Sequence, residues 1–240
     1  MKAWLIGCWL LAAGPAVAQF NKGVHLQFQF SRVVLASGDT LAGPLAVQFS
    51  TDLLYLGQPD GSVRTFVPAA VAAFAVQGQA PLRVHSAKSG MATFDPTVVR
   101  LFRTLPWPSE RPDRRAEPAF FEQLSEGPVL LLRRQSYVPR TVAFPAEGSN
   151  RQFPVGSARQ PAHTPAAFRT LTELKDEFYL AWASGEIRPL HHGKKDLLAA
   201  FPAHSSQLQA YAKAHGLGYH SAAELHDLVS YVNTLAGAAQ

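Results

Sequence analysis

Cysteine is almost missing from this chain of 240 residues: the only one, Cys8, lies in the first apolar stretch, so no disulfide can form within the chain. Charge is scarce too. Asp, Glu, Lys and Arg make up 16% of residues, against about 25% in average soluble domains, which excludes a solvating disordered tail as the main content. The surplus of 22 Lys and Arg over 17 Asp and Glu is diffuse, and no nucleic acid partner is expected from it. Catalytic signatures are missing in turn. No Gly-x-Ser-x-Gly elbow, Ser-x-x-Lys, His-Glu-x-x-His, Gly-x-Gly-x-x-Gly or Walker loop occurs, so the common hydrolase, zincin and nucleotide motifs have no foothold. After the first stretch no run approaches the ~18 apolar residues that would cross a bilayer. The longest, residues 67–76, is interrupted by Pro68.

The N-terminus has the pattern of an export signal. Lys2 supplies a short positive region, Ala3 to Ala13 an apolar one, Gly14-Pro15 a break, and Ala16-Val17-Ala18 a small-x-small cleavage site. Residues 1–18 are therefore expected to be removed, leaving a thiol-free chain from Gln19 in the periplasm, outer envelope or medium. Leu5-Ile6-Gly7-Cys8 also matches a bacterial lipobox that would lipidate Cys8, but the apolar run before it is too short for clean processing. Ordinary export is the reading adopted.

Residues 24–31 alternate Val24, Leu26, Phe28 and Phe30 with polar neighbours, the period of a half-buried strand. Leu45, Val47 and Phe49 alternate again, Leu53 to Leu56 is short and apolar, and Asp60-Gly61 is a hairpin signal before residues 63–67 and 71–76. Leu82 to His85 and Val98 to Leu105 could add strands. Residues 106–118 read as a Pro-rich surface connection, and Pro118 as the start of a short helix with Phe120, Phe121 and Leu124 on one side, ended by Gly127-Pro128. Val129 to Leu132 reads as a central strand, residues 139–166 as a long exposed loop, and Phe178, Leu180 and Trp182 as alternating positions of a further strand. The last fifty residues are helical in pattern. Ser221 with Glu224 forms a capping box ahead of an apolar face of Leu225, Leu228, Val229, Val232 and Leu235. Strands first and helices last make the class α+β. The expected divisions are a mostly β domain at 19–105, a central β segment with long loops at 106–190, and a helical subdomain at 191–240.

Two resemblances follow from these residues. Gly38-Asp39-Thr40-Leu41-Ala42-Gly43, Leu53 to Leu56, Asp60-Gly61 and Val71 to Phe74 resemble the meander of Sm-like and SH3-like small barrels, which implies a small antiparallel barrel within residues 38–76. Phe120-Phe121-Glu122, Gly127-Pro128, Leu130 to Arg134, Lys194 to Leu198, and Tyr231, Asn233 and Leu235 resemble an uncharacterised family of exported bacterial proteins over residues 98–236. That resemblance implies export and no particular chemistry.

The candidate sites carry ordinary alternatives beside them. Six of nine histidines fall in the last fifty residues, and His191, His192 and His220 are the best metal-ligand candidates. Their spacing fits no ligand motif, so solvent-facing histidines are the plainer reading and neither a metal nor a cofactor is expected. A triad from Ser157, His163 and Asp196 would need distant residues to converge. Glu122 and Glu126, four apart, read as a solvated helix face rather than an acid–base pair, and Asp176-Glu177 is equally plain. Trp107, between two prolines, is either an exposed stacking surface or a plug against the core. Arginine outnumbers lysine 15 to 7. Arg103, Arg114, Arg115, Arg133 and Arg134 are the candidate anion-binding residues, because a guanidinium fork matches carboxylate and phosphate. Acidic residues interleave with them. The function expected is non-enzymatic binding of an envelope protein or anionic surface polymer; the alternative is a metal-assisted or carboxylate-dependent hydrolase.

Overall fold

A computed structural model describes residues 26–78, 97–107, 116–144 and 167–237. The export segment with Cys8, Leu82 to His85, Arg114, Arg115, Ser157 and His163 lie outside the described residues.

Among the described residues the first half builds eight strands: β1 (Leu26–Phe28), β2 (Phe30–Leu35), β3 (Thr40–Ala42), β4 (Leu45–Gln48), β5 (Leu53–Gly57), β6 (Val63–Phe66), β7 (Val71–Gln77) and β8 (Val99–Trp107). β9 (Glu117–Gln123), β10 (Val129–Phe144), β11 (Ala167–Trp182) and β12 (Ile187–Pro189) follow, then helices α1 (Gly193–Ala200), α2 (Ser205–His215) and α3 (Ala222–Gly237). The strands form two antiparallel sheets, a four-stranded one ordered β1-β4-β5-β6 and an eight-stranded one ordered β12-β11-β10-β9-β8-β7-β2-β3. The chain is α+β.

The small barrel does not form, because neither sheet closes. The strands expected at 45–49, 53–56, 63–67 and 71–76 are present, and Asp60-Gly61 does turn β5 into β6. The single strand expected over 24–31 is not: it breaks at Gln29, its two parts join different sheets, and Phe30 is left exposed instead of sharing the apolar face of Leu26 and Phe28. The chain changes sheet at Gln29, between β1 and β2, and at Gly43-Pro44, between β3 and β4. The same turn residues and alternation thus serve two stacked sheets. Between the sheets lies one apolar core, with Leu45, Val47, Leu54 and Leu56 from the smaller facing Val33, Phe74, Phe102 and Phe120 from the larger. Phe74 stacks on Phe102 with ring centroids 4.5 Å apart and meets Phe120 edge-on at 5.2 Å. Each side chain this buried contributes roughly 1.5–3 kcal/mol.

The helix expected after Pro118 is instead strand β9, paired with β8 from Leu101↔Gln123 to Trp107↔Glu117. Ala119, Phe120, Phe121 and Glu122 are all buried. A strand covered on both faces shows a continuous apolar run, not alternation, and its 120/121/124 spacing imitates a helix face. Likewise β10 continues through Phe144, so the exposed loop expected from residue 139 does not begin there. The expected boundary at 105/106 falls inside β8.

The helices build a second core on β10 and β11, where Leu131 and Leu180 meet Leu197, Leu208, Leu225, Leu228, Val229 and Val232. The capping box forms as read: the Glu224 N–H donates to the Ser221 hydroxyl at 3.3 Å, and the Ser221 N–H donates to the Glu224 carboxylate at 2.9 Å. Gly216 ends α2 at φ +65°, a left-handed conformation that suits glycine. A third cluster, Ala119, Phe121, Leu132, Tyr179 and Ala181, occupies the opposite face of the large sheet. No helix among the described residues is long and apolar enough to cross a membrane.

Candidate functional site

Residues directly opposite in an antiparallel sheet share a face, and Arg133, Glu122, Phe102 and Phe74 form one such row across four strands. The row passes from the core between the sheets to the edge of the helical core. Charged side chains fill the interval. Glu122 is only 4% exposed and receives both the Nε and the Nη2 of Arg100, each at 2.7 Å. Arg133 Nε donates to Glu122 Oε2 at 2.9 Å, and Arg133 Nη1 donates to Asp176 Oδ2 at 3.1 Å. Gln135 closes the circuit, accepting from Arg100 Nη2 at 2.8 Å and donating to Asp176 Oδ1 at 2.8 Å. Arg100 also lies over the Phe102 ring, 5.1 Å from its centroid.

Two guanidinium groups and two carboxylates balance, and the low-dielectric surroundings strengthen the buried bonds of Arg100 to Glu122 and Gln135, whereas the Arg133–Asp176 pair lies nearer solvent. Burial alone would raise the Glu122 carboxyl, but the hydrogen bonds and charge of Arg100, with the charge and hydrogen bond of Arg133, hold it below its ordinary range. Burial would lower Arg133, and the charges of Glu122 and Asp176 outweigh that and raise it. Glu122 is therefore an ionised anchor with its oxygens occupied. It is not the solvated helix residue that its spacing to Glu126 implied.

A second cluster lies on the opposite face. Arg134 Nη2 donates to Asp52 Oδ2 at 2.9 Å, and Arg134 Nη1 donates to the Phe120 carbonyl at 3.3 Å. The Arg134 guanidinium sits 4.1 Å from the Trp107 ring centroid. Asp52 reaches it from the turn between β4 and β5, so this pair ties the smaller sheet to β10. Burial raises the Asp52 carboxyl above its ordinary value despite the charge and hydrogen bonds of Arg134. Trp107 is 39% exposed, with one part stacked on Arg134 and the rest open.

Among the expected anion-binding residues, Arg133 and Arg134 are thus placed on opposite faces, each already held by a carboxylate. Arg103 lies on the Phe121 face and donates to the Gln123 side chain. The three do not converge. The histidines are scattered as well. His191 lines a small cavity of about 120 Å³ beside Asp176 and Glu177. His192 approaches Asp196 at 4.0 Å, and exposed His220 offers its backbone N–H to Glu224. Among the described residues no three His, Cys, Asp or Glu side chains cluster as metal ligands.

Sequence reading missed Glu122, Gln135, Asp176 and Asp52 as members of these clusters. One signal was present: Glu122 directly follows the run Ala119-Phe120-Phe121, and a carboxylate in a buried strand requires a cationic partner. No family model, curated protein or solved structure matches the chain.

Proposed function

We propose that the chain is an exported, non-enzymatic protein that binds a partner of the bacterial envelope, and that the partner is a protein. The observation that carries this reading is the β10–β11 ribbon. Its strands pair continuously from Val129↔Trp182 to Phe144↔Ala167, yet β9 joins β10 only at Leu132 and Arg133, and β12 joins β11 only at Tyr179–Ala181. From Ser136↔Lys175 outward no third strand pairs with it among the described residues. Unpaired strand edges present N–H and C=O groups to a neighbouring chain, and strand addition to such an edge is a common mode of protein recognition. The anionic-polymer alternative has less support, since Arg133 and Arg134 already hold carboxylates. Export rests on Lys2, the apolar stretch and Ala16-Val17-Ala18.

A photo-crosslinking amino acid at exposed Val138, compared with one at exposed Ser206 on α2, tests the reading in the native host. The expected result is a discrete crosslinked envelope protein from position 138 alone, on chains whose first residue is Gln19. Crosslinks to the same species from both positions, or none from Val138, count against the ribbon. Chains retaining Met1 in the cytosol count against the setting.

A further inference from the structure

At the helical end, a cleft of about 400 Å³ opens between α1, α2 and the turn that follows α2, lined by Lys194, Gln209, Ala212, Lys213, Leu217 and Tyr219. This size lies within the ~300–1,000 Å³ of small-molecule sites. Three features set it apart from an ordinary groove.

The first is Tyr219. Its backbone lies at φ +64°, a left-handed conformation that a bulky residue seldom adopts without a local reason. It is 6% exposed, and its buried hydroxyl has no hydrogen-bond partner among the described residues. That hydroxyl is closed to solvent, so it is the ring of Tyr219 that the Lys194 ammonium and the cleft meet. The second is charge. Lys194 Nζ stands 5.8 Å from the Tyr219 ring centroid, and neither Lys194 nor Lys213 is ion-paired among the described residues. Nearby carboxylates are already committed to the backbone. Glu224 accepts from the N–H groups of Gly218, His220 and Ser221, and Asp196 accepts from that of His192. The third is the wall, where Leu217, Ala212 and the Tyr219 ring supply apolar surface beside the two ammonium groups.

We infer that this cleft binds an organic phosphate, with Lys194 and Lys213 taking the phosphate and the apolar wall taking the body attached to it. A phosphate monoester carries roughly −1.5 to −2 charge near neutral pH, which two ammonium groups match and one would not. The inference is independent of the ribbon and of export.

Titration calorimetry on the purified full chain with phenyl phosphate, inorganic phosphate, and phosphatidylcholine vesicles with or without phosphatidic acid tests it. Phenyl phosphate should bind saturably. The double variant Lys194→Gln/Lys213→Gln should weaken binding by about tenfold or more, whereas Lys195→Gln, outside the cleft, should stay within about twofold. Binding of phosphatidic acid vesicles with the same lysine dependence, without binding of phenyl phosphate, would assign the phosphate to a lipid headgroup. Absence of saturable binding to either probe would overturn the inference. So would equal losses in the double variant and Lys195→Gln, or inorganic phosphate binding as tightly as phenyl phosphate.

Discussion

Arg100 and Arg133 in the large sheet face Glu122, Asp176 and Gln135 in a closed circuit, whereas Lys194 and Lys213 at the helical end face an open cleft with their neighbouring carboxylates bound elsewhere. The same sign of charge is thus structural in one region and available in the other. Burial decides which. A guanidinium that is 4% exposed must be neutralised where it lies, while an ammonium at a cleft rim remains hydrated and costs the fold little. The cationic groups to test for ligands are therefore the lysines, although arginine dominates the sequence.

The comparison breaks most readily at Glu122. Glu122→Gln leaves Arg100 and Arg133 facing a neutral amide inside the protein, and a loss of about 3–5 kcal/mol is expected in urea denaturation. A loss below about 1 kcal/mol would mean that the circuit is not what holds these strands in register. The next largest effect is expected at the helical end. A Cβ on Gly193 would collide with the Tyr219 carbonyl oxygen, a backbone atom with little freedom to move. Gly193→Ala should cost about 1–3 kcal/mol, read from the thermal midpoint and denaturant curve, by displacing the turn that carries Tyr219.

Acid titration sharpens the contrast between the carboxylates. Backbone N–H groups of Ser221, His220 and Gly218 hold the Glu224 carboxyl at about 2, against 4.5 unperturbed. A depressed carboxyl stabilises the fold above its unfolded value, so this contribution is present above pH 4.5 and is lost as pH falls toward about 2. Glu122 acts with the same sign, and Asp52, raised by burial, with the opposite sign. Glu224→Gln should flatten the fall of thermal midpoint across that window; an unchanged slope would remove the turn from the account. The smallest effect belongs to the lysines. Lys194→Gln and Lys213→Gln should each change unliganded stability by no more than about 0.5 kcal/mol, as exposed substitutions do. A larger loss in either would show that the cleft's charge is structural after all.

What could be read from the chain follows the range of the forces involved. The helices were legible because their signals are local: the Ser221/Glu224 box and the period of Leu225, Leu228, Val229 and Val232. Alternation likewise placed β4 and the Phe178, Leu180 and Trp182 positions of β11, but it carried Phe30 onto the apolar face of Leu26 and Phe28, where the chain instead changes sheet at Gln29. The assembly of those strands was not local. Turn chemistry at residues 38–61 suits a closed barrel as well as two stacked sheets, and only the packing of Leu54 and Leu56 against Phe74 and Phe102 distinguishes them. β9 failed for the reason given by Phe120 and Phe121, since burial on both faces erases the period that strand reading depends on. The ionic clusters join residues far apart in sequence, Arg100 to Glu122 across 22 positions and Arg134 to Asp52 across 82. Spacing along a helix or strand cannot register such pairs.

Asn233 bears on the order in which the molecule can be completed. From α3 its amide oxygen accepts the Val129 N–H, and its amide nitrogen donates to the carbonyls of Glu126 and Val129, across separations of 104 and 107 residues. The start of β10 therefore receives its polar partners, and much of its apolar cover, from a segment that a ribosome produces last among the described elements. Until α3 emerges, Leu131 and Leu180 lack that lid, and their apolar surface has only solvent or another chain to meet.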